Sequence, residues 1–486
     1  MASKFPISLF GALIFFVFLW WLDFPKPHID DVSYIGASLN MASGGDFSCP
    51  YISRQFAEHF AFFYPPIHSY VLAGWLKIFG ISTASLTGFQ MIMYLLCAGS
   101  AIFILRRHQA PIWIEWLAPL AVANAYITDG LRPEPFAAAF IIVGFAMIEC
   151  GLRNRLLVFV AFLLMSLGGA AAPRMTFYAV ALILFSAWRV CGPTAKDNRE
   201  RWTMLGVLLG AGVSAGIIFL AMIQFKLKEF WETFHQNSQR LAGGTVGSFL
   251  LTHVSYAQVA IIVLFAIAAV FVLRRPKDDL TRICIVIAAV FPLEFLARFT
   301  GYGASRWYAM LILLFITASF CKRLPAPWKT LLQSGLCLVL LLLNIGLFAN
   351  VVGILSGRIQ GKPSQPSLPA ITSGHAVLVD CVAARYYFNY RIPKDYVDFT
   401  FSLPFPYETP IEGTRPTDIY LIGPENLDLL KDKGGLDYQP MEKWSPLGTG
   451  KRTSKLSFYK DPQQVFMIPA PLCKSLTIGV SPDTHP

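Results

Sequence analysis

The sequence predicts an all-α polytopic membrane protein of about eleven transmembrane helices, followed by a small α/β extracytoplasmic domain at the C-terminus. Two features of composition and one of pattern carry that expectation. Hydrophobic residues fill 55% of the 486 positions and charged residues only 14%, too apolar a balance for a soluble globular chain. The charges are segregated, with stretches of about twenty residues that carry none, which excludes disordered and low-complexity classes. Runs such as 336–346 are continuously apolar and lack the in-and-out alternation of a transmembrane β-barrel. The formal net charge of +11 does not point to nucleic acid, because Lys and Arg gather in short loops between apolar windows.

The chain opens with a single Lys4 before an apolar window at 5–22. That window is longer than a signal-peptide core and is not followed by a small-x-small cleavage site, so it reads as a retained first span. Further spans are expected at 84–105, 111–127, 134–150, 156–172, 175–190, 202–223, 251–273, 281–297, 306–321 and 330–353. Lys4, Arg106, Arg107, Arg153, Arg155 and the basic residues of 189–201, 274–282 and 322–329 then share one side, which the positive-inside rule makes cytoplasmic. The parity closes with the C-terminus outside. A leftover apolar segment at 67–80, interrupted by His68 and Lys77, reads as a juxtamembrane or re-entrant helix. Residues 226–250 read as an amphipathic surface helix, with Phe225, Leu227, Phe230, Trp231 and Phe234 interleaved with Lys226, Lys228 and Glu229.

The membrane domain is thus expected over 1–355, a Gly/Pro/Ser/Gln linker over 356–371, and a soluble α/β domain over 372–486. Within the last, 376–380 and 418–422 read as strands, with a helix between them ending near Tyr390. The nine cysteines show no CxxC or Cys/His metal spacing. Cys97, Cys150, Cys284, Cys321 and Cys337 sit in or at the ends of apolar spans as small hydrophobes, while Cys381 and Cys473 could pair if their region is outside.

Candidate chemistry collects in the outward loops. Asp30 and Asp31 are adjacent carboxylates just beyond the first span. One could serve as general base for an acceptor hydroxyl while the other orients it or holds a cation; the alternative is an N-cap for a helix beginning near Val32. His59, Tyr64 and His68, among Phe60, Phe62, Phe63, Pro65 and Pro66, could line a lipid or substrate entrance together with Tyr34, or form an interfacial aromatic belt. A third loop carries Asp129, Arg132 and Glu134, which could reach the first loop and supply a second acid, or could be a turn with Glu134 in the first turn of the next helix. Arg298 and Arg306 suit a phosphate through bidentate guanidinium contacts, or anchor the chain at the headgroups. A divalent cation is the one cofactor these acids could hold, on Asp30, Asp31 and Glu134, although no spacing in the sequence specifies it.

In combination these residues resemble the GT-C membrane glycosyltransferases, and within them the branch of protein O-mannosyltransferases, lipid A aminoarabinose transferases and the related bacterial group. Asp30-Asp31 followed by Tyr34 is similar to the family's acidic pair after the first span. Tyr64-Pro65-Pro66, with Trp75, Phe79 and Gly80 behind it, resembles its Pro-Pro segment, with Tyr in place of the common Lys. Arg132-Pro133-Glu134 resembles a motif opening the fourth span, and Arg306-Trp307-Tyr308 resembles an Arg-Tyr helix start interrupted by Trp307. The family's module of seven spans with a first-loop active site corresponds to residues 1–250.

The resemblance implies a hexosyl or pentosyl transferase, mannosyltransferase-like, in the bacterial inner membrane, acting in cell-envelope glycan chemistry. It would move a sugar from a polyprenyl-phosphate donor to a lipid, glycan or protein acceptor on the extracytoplasmic face, with inversion. Asp30 would be the base and Asp31 its orienting partner. Arg306 and Arg298 would hold the donor phosphate, and Asp129 or Glu134 the acceptor or a cation. Its partners would be the polyprenyl-phosphate sugar and membrane lipids, with no nucleic acid. A multi-pass transporter or lipid flippase, or a non-enzymatic assembly partner of an envelope polymerase, are the readings from other classes.

Overall fold

The computed structural model describes residues 7–22, 24–25, 31–47, 65–123, 131–172, 175–192, 197–232, 282–283, 304–321, 325–359, 375–378, 397–399, 417–422 and 466–469. Helices dominate: α1 (Ile7–Trp21), α2 (Asp31–Ala42), α3 (Ile67–Phe79), α4 (Thr83–Arg107), α5 (Ile112–Ala123) and α6 (Glu134–Cys150) come first. They are followed by α7 (Arg155–Ala171), α8 (Thr176–Cys191), α9 (Asn198–Met222), α10 (Ala304–Cys321), α11 (Ala326–Leu343) and α12 (Ile345–Ile359).

Among the described residues, α4, α9 and α11 are long and apolar enough to cross a membrane, and α1, α5, α7, α8 and the stretch 347–356 are shorter apolar helices. The protein is an integral membrane protein. α6 carries a glutamate near each end, Glu134 and Glu149. The windows expected at 251–273 and 281–297 lie outside the described residues, apart from 282–283.

Local chemistry sets the boundaries. Ser82 caps α4 by accepting the Ser85 N–H at 3.1 Å, Asn154 caps α7 by accepting from Leu156 and Leu157, and Asp197 caps α9 by accepting from Glu200 at 2.7 Å. The cap at Asp197 starts α9 at Asn198, so the charged turn Arg199, Glu200, Arg201 is helical although it is not apolar. Gly80 ends α3 with φ of 80°, a left-handed position natural to glycine.

The window expected as one span at 330–353 is two helices. Asn344 stands at the junction: its backbone N–H still donates to the Leu340 carbonyl at 3.1 Å, and its Nδ2 adds a bond to the same carbonyl at 2.8 Å and one to that of Leu120 of α5 at 3.2 Å.

The tightest pairing is α6 against α7. A Cβ on Gly144 would stand 2.5 Å from the Ala161 carbonyl oxygen, and one on Gly168 would stand 2.8 Å from that of Ala137. Glycine at both places lets the backbones approach, the small-residue packing that replaces the hydrophobic effect between helices in lipid. At its far end, α6 presents Glu149, buried, to His108 at 3.2 Å and to the Arg189 guanidinium of α8. This buried ion pair belongs to the end of the bundle where the basic loops gather.

After α9 the chain reverses through Gln224 and Phe225, both at positive φ, into helical residues 227–232. Phe230 packs edge-on against Phe219, with ring centroids 5.3 Å apart, while Phe225, Leu227 and Trp231 stay exposed. The amphipathic character expected from 226 onward is thus present in the part described; the remainder, from 233, lies outside it.

Toward the C-terminus four strands, β1 (His375–Leu378), β2 (Val397–Phe399), β3 (Thr417–Ile422) and β4 (Phe466–Pro469), form one sheet in the order β2-β1-β3-β4. β1 runs parallel to β2 and β3, with Ala376 opposite Val397 and Ile419, and β3 is antiparallel to β4, with Tyr420 opposite Ile468. Two parallel neighbours require crossover connections. The helix expected before Tyr390, and Cys381 and Cys473, lie outside the described residues.

Candidate active site

The acidic residue that opens α2 ties the start of that helix to the loop before α6. Asp31 is in the first turn of its helix and fully buried, and its Oδ1 accepts the backbone N–H of Leu131 at 2.7 Å. A carboxylate at a helix N-terminus is favoured by the macrodipole, and a hydrogen bond from an amide to it is charge-assisted. One turn along α2, the ring of Tyr34 lies under the Arg132 guanidinium, 5.5 Å from its centroid. The Arg132 carbonyl accepts from Gln90 Nε2 of α4 at 2.7 Å. Pro133 then caps α6, whose first turn holds Glu134, also fully buried.

Behind this junction sits His68, one residue into α3 and 1% exposed. The sequence suggested a place at an entrance; the ring is instead interior, edge-on to Phe89 and Phe136 at 6.0 and 5.6 Å between centroids. Among the described residues its Nε2 has no hydrogen-bond partner. Burial pulls its pKa down to about 4, so the imidazole is neutral at pH 7. The aromatic layer continues from Phe89 to Trp75 at 5.9 Å.

On the other side of Trp75 an apolar groove of about 420 Å³ runs between α1, α3 and α4, with Leu13, Phe16, Trp20, Phe79, Gly88 and Leu95 among its walls. Both indoles are fixed: Trp20 Nε1 donates to the Ala84 carbonyl and Trp75 Nε1 to that of Ser85, each at 3.0 Å.

The structure brings Asp31, Tyr34, Arg132, Glu134 and His68 into one neighbourhood of α2, α3, α4 and α6. Arg306 falls in the first turn of α10, with its side chain outside the described residues. Asp30, His59, Tyr64, Asp129 and Arg298 also lie outside them. Among the described residues no group of three His, Cys, Asp or Glu side chains could hold a metal. Gln90 escaped the sequence reading. The signal was there, as a lone amide inside an apolar window at 84–105, where a polar side chain needs a partner.

No family model matches the chain, and no curated protein matches it. Among solved structures it is similar to the crystal structure of ArnT from Cupriavidus metallidurans bound to undecaprenyl phosphate. The TM-score is 0.50 at 12% identity, over 94% of this chain and 97% of that one. The apo structure of the same protein aligns with a TM-score of 0.43 at 12% identity, over 96% and 99% of the two chains. At that identity the likeness to the lipid-bound form is one of fold.

Proposed function

We propose that the protein is a membrane glycosyltransferase that moves a hexosyl or pentosyl unit from a polyprenyl-phosphate donor to an acceptor hydroxyl or amine at the extracytoplasmic face. The observation that carries the reading is the junction of the first loop and the loop before α6, where Asp31 binds Leu131 and Arg132 covers Tyr34. The fold supports it, since it is shared along nearly the whole chain with a protein crystallised with undecaprenyl phosphate.

In this reading Asp30 takes the proton of the acceptor O–H or N–H as that atom attacks the anomeric carbon. The new glycosidic bond forms on the face opposite the departing oxygen, with inversion. The electron pair of the broken C–O bond leaves on the polyprenyl phosphate, and Arg306 and Arg298 neutralise the charge that grows there. Asp31, engaged with a backbone amide, suits the orienting role better than the abstraction of a proton. Asp129 or Glu134 positions the acceptor. The groove beside Trp75 offers apolar room for the first isoprene units of the donor, one aromatic layer from the junction.

The domain boundaries fit the same reading: a membrane domain over 1–355 of about eleven spans, with its site and an α/β domain over 372–486 on the extracytoplasmic side.

The test is transfer of radiolabelled sugar from a panel of polyprenyl-phosphate sugars by purified protein in lipid, comparing wild type with Asp30→Asn and adding a chelator arm. Labelled product that disappears in Asp30→Asn supports the assignment. No product from any donor, with lipid moved across the bilayer of the same vesicles, would replace it with the flippase reading.

A further inference from the structure

Gln90 is a buried amide on the second turn of α4, 1% exposed, flanked in sequence by Phe89 and Met91. Burying an amide in apolar surroundings is unfavourable unless its hydrogen bonds are made. Its Nε2 makes one, the 2.7 Å bond to the Arg132 carbonyl 42 residues away, while Oε1 has no hydrogen-bond partner among the described residues. A leucine or methionine would pack the same volume without that cost. The amide is therefore explained by the loop it reaches.

That loop is gripped at consecutive residues from two helices. The Leu131 N–H is held by Asp31 of α2 and the Arg132 carbonyl by Gln90 of α4. Between those two bonds the backbone direction of residues 131 and 132 is fixed, and with it the side from which the Arg132 guanidinium crosses the Tyr34 ring. Losing the Gln90 bond releases the Arg132 end of this segment, so the Leu131 N–H and the Arg132 side chain are then held to α2 only by their own contacts with Asp31 and Tyr34 among those described.

We propose that Gln90 is a positioning residue for the glycosyl transfer, fixing the Arg132 carbonyl so that the loop before α6 presents Leu131 to Asp31 and Arg132 to Tyr34 in the reactive register. The inference rests on the function proposed above, but half of its test does not.

The test uses full-length protein in lipid, with Gln90→Leu and, as a second variant of similar volume, Gln90→Met. Hydrogen exchange of the peptide containing Leu131 is followed by mass spectrometry, alongside thermal unfolding and transfer kinetics. One lost neutral hydrogen bond should raise exchange at Leu131 about fivefold or more, while unfolding stays at the wild-type temperature or above it. In the same variants kcat should fall by about fivefold to tenfold with the donor KM within about twofold of wild type, the split expected of a misplaced but still assembled site.

Unchanged exchange at Leu131 in both variants would overturn the positioning role, as would raised exchange with unaltered kcat. A merely structural amide would instead lower the unfolding temperature in both variants. If wild-type protein transfers no sugar from any donor, the proposed function fails on that result alone, and the exchange arm still decides whether Gln90 holds the loop.

Discussion

The Asp31 carboxylate and the Leu131 amide, 100 residues apart in sequence, meet at 2.7 Å. That bond joins the start of α2 to the approach to α6, and replacing the acid separates its charge from its shape. Asp31→Asn keeps an oxygen that accepts the amide and should cost about 1 kcal/mol of stability, whereas Asp31→Ala leaves a buried N–H without a partner and should cost about 1–3 kcal/mol. Thermal unfolding of the two variants side by side checks the order, and equal losses would mean that the carboxylate is there for charge alone.

His68 predicts a pH dependence. Its helix, α3, is neither among the described helices long and apolar enough to cross a membrane nor among the shorter apolar ones, and burial lowers the pKa of the ring from 6.5 to about 4. The unfolded chain binds the proton first as pH falls, so the contribution of the neutral ring to stability is full above about pH 6.5 and is lost as pH falls towards 4, by up to about 3 kcal/mol. His68→Phe should flatten the unfolding temperature between pH 6.5 and 4. An identical slope in wild type and variant would assign the loss to other groups.

Gly144 predicts a packing limit. With the Ala161 carbonyl 2.5 Å from where a Cβ would stand, Gly144→Ala must part α6 from α7 and should cost about 1–3 kcal/mol. Gly206, with nothing within 4 Å of its Cβ position, is the control, and Gly206→Ala should be neutral or slightly stabilising. Equal effects at both glycines in a thermal unfolding assay would mean that the contact yields freely.

Glu149 predicts a fold defect that spares the chemistry. Glu149→Gln removes the charge that Arg189 and His108 face at the C-terminal end of α6, and should cost about 3 kcal/mol or more. Yield and unfolding temperature should fall, while kcat per folded molecule stays near wild type, because Glu149 stands at the opposite end of α6 from Glu134. A drop in kcat without loss of stability would contradict that separation.

Much of this architecture was legible because lipid imposes apolar runs. The window at 84–105 became Thr83–Arg107, that at 134–150 became Glu134–Cys150, and that at 175–190 became Thr176–Cys191. The errors have local causes that hydropathy averages away. A single Asn344 divides the 330–353 window, and the Asp197 cap extends α9 back into charged residues. At the site, the motifs named Asp31, Arg132 and Glu134, and left open whether their loops meet. What joins them is a backbone N–H and a backbone carbonyl, groups that every non-proline residue carries and that leave no trace in residue identity. The interior place of His68 was hidden for a related reason, because its walls, Phe89 and Phe136, come from two other helices.

The glycine-mediated contact of α6 and α7 has a mechanical consequence. Two helices packed this closely at Gly144 and Gly168 leave little room for one to slide past the other, so a push on one is passed to its neighbour. The loop at 131–134 leads into the end of α6, and α2 meets it through the bond from Asp31 to Leu131 and through the Tyr34 ring beneath Arg132. A displacement of α6 and α7 against α2 therefore falls on those two contacts together, one a hydrogen bond that tolerates little change in length and the other a ring face that lets the guanidinium glide.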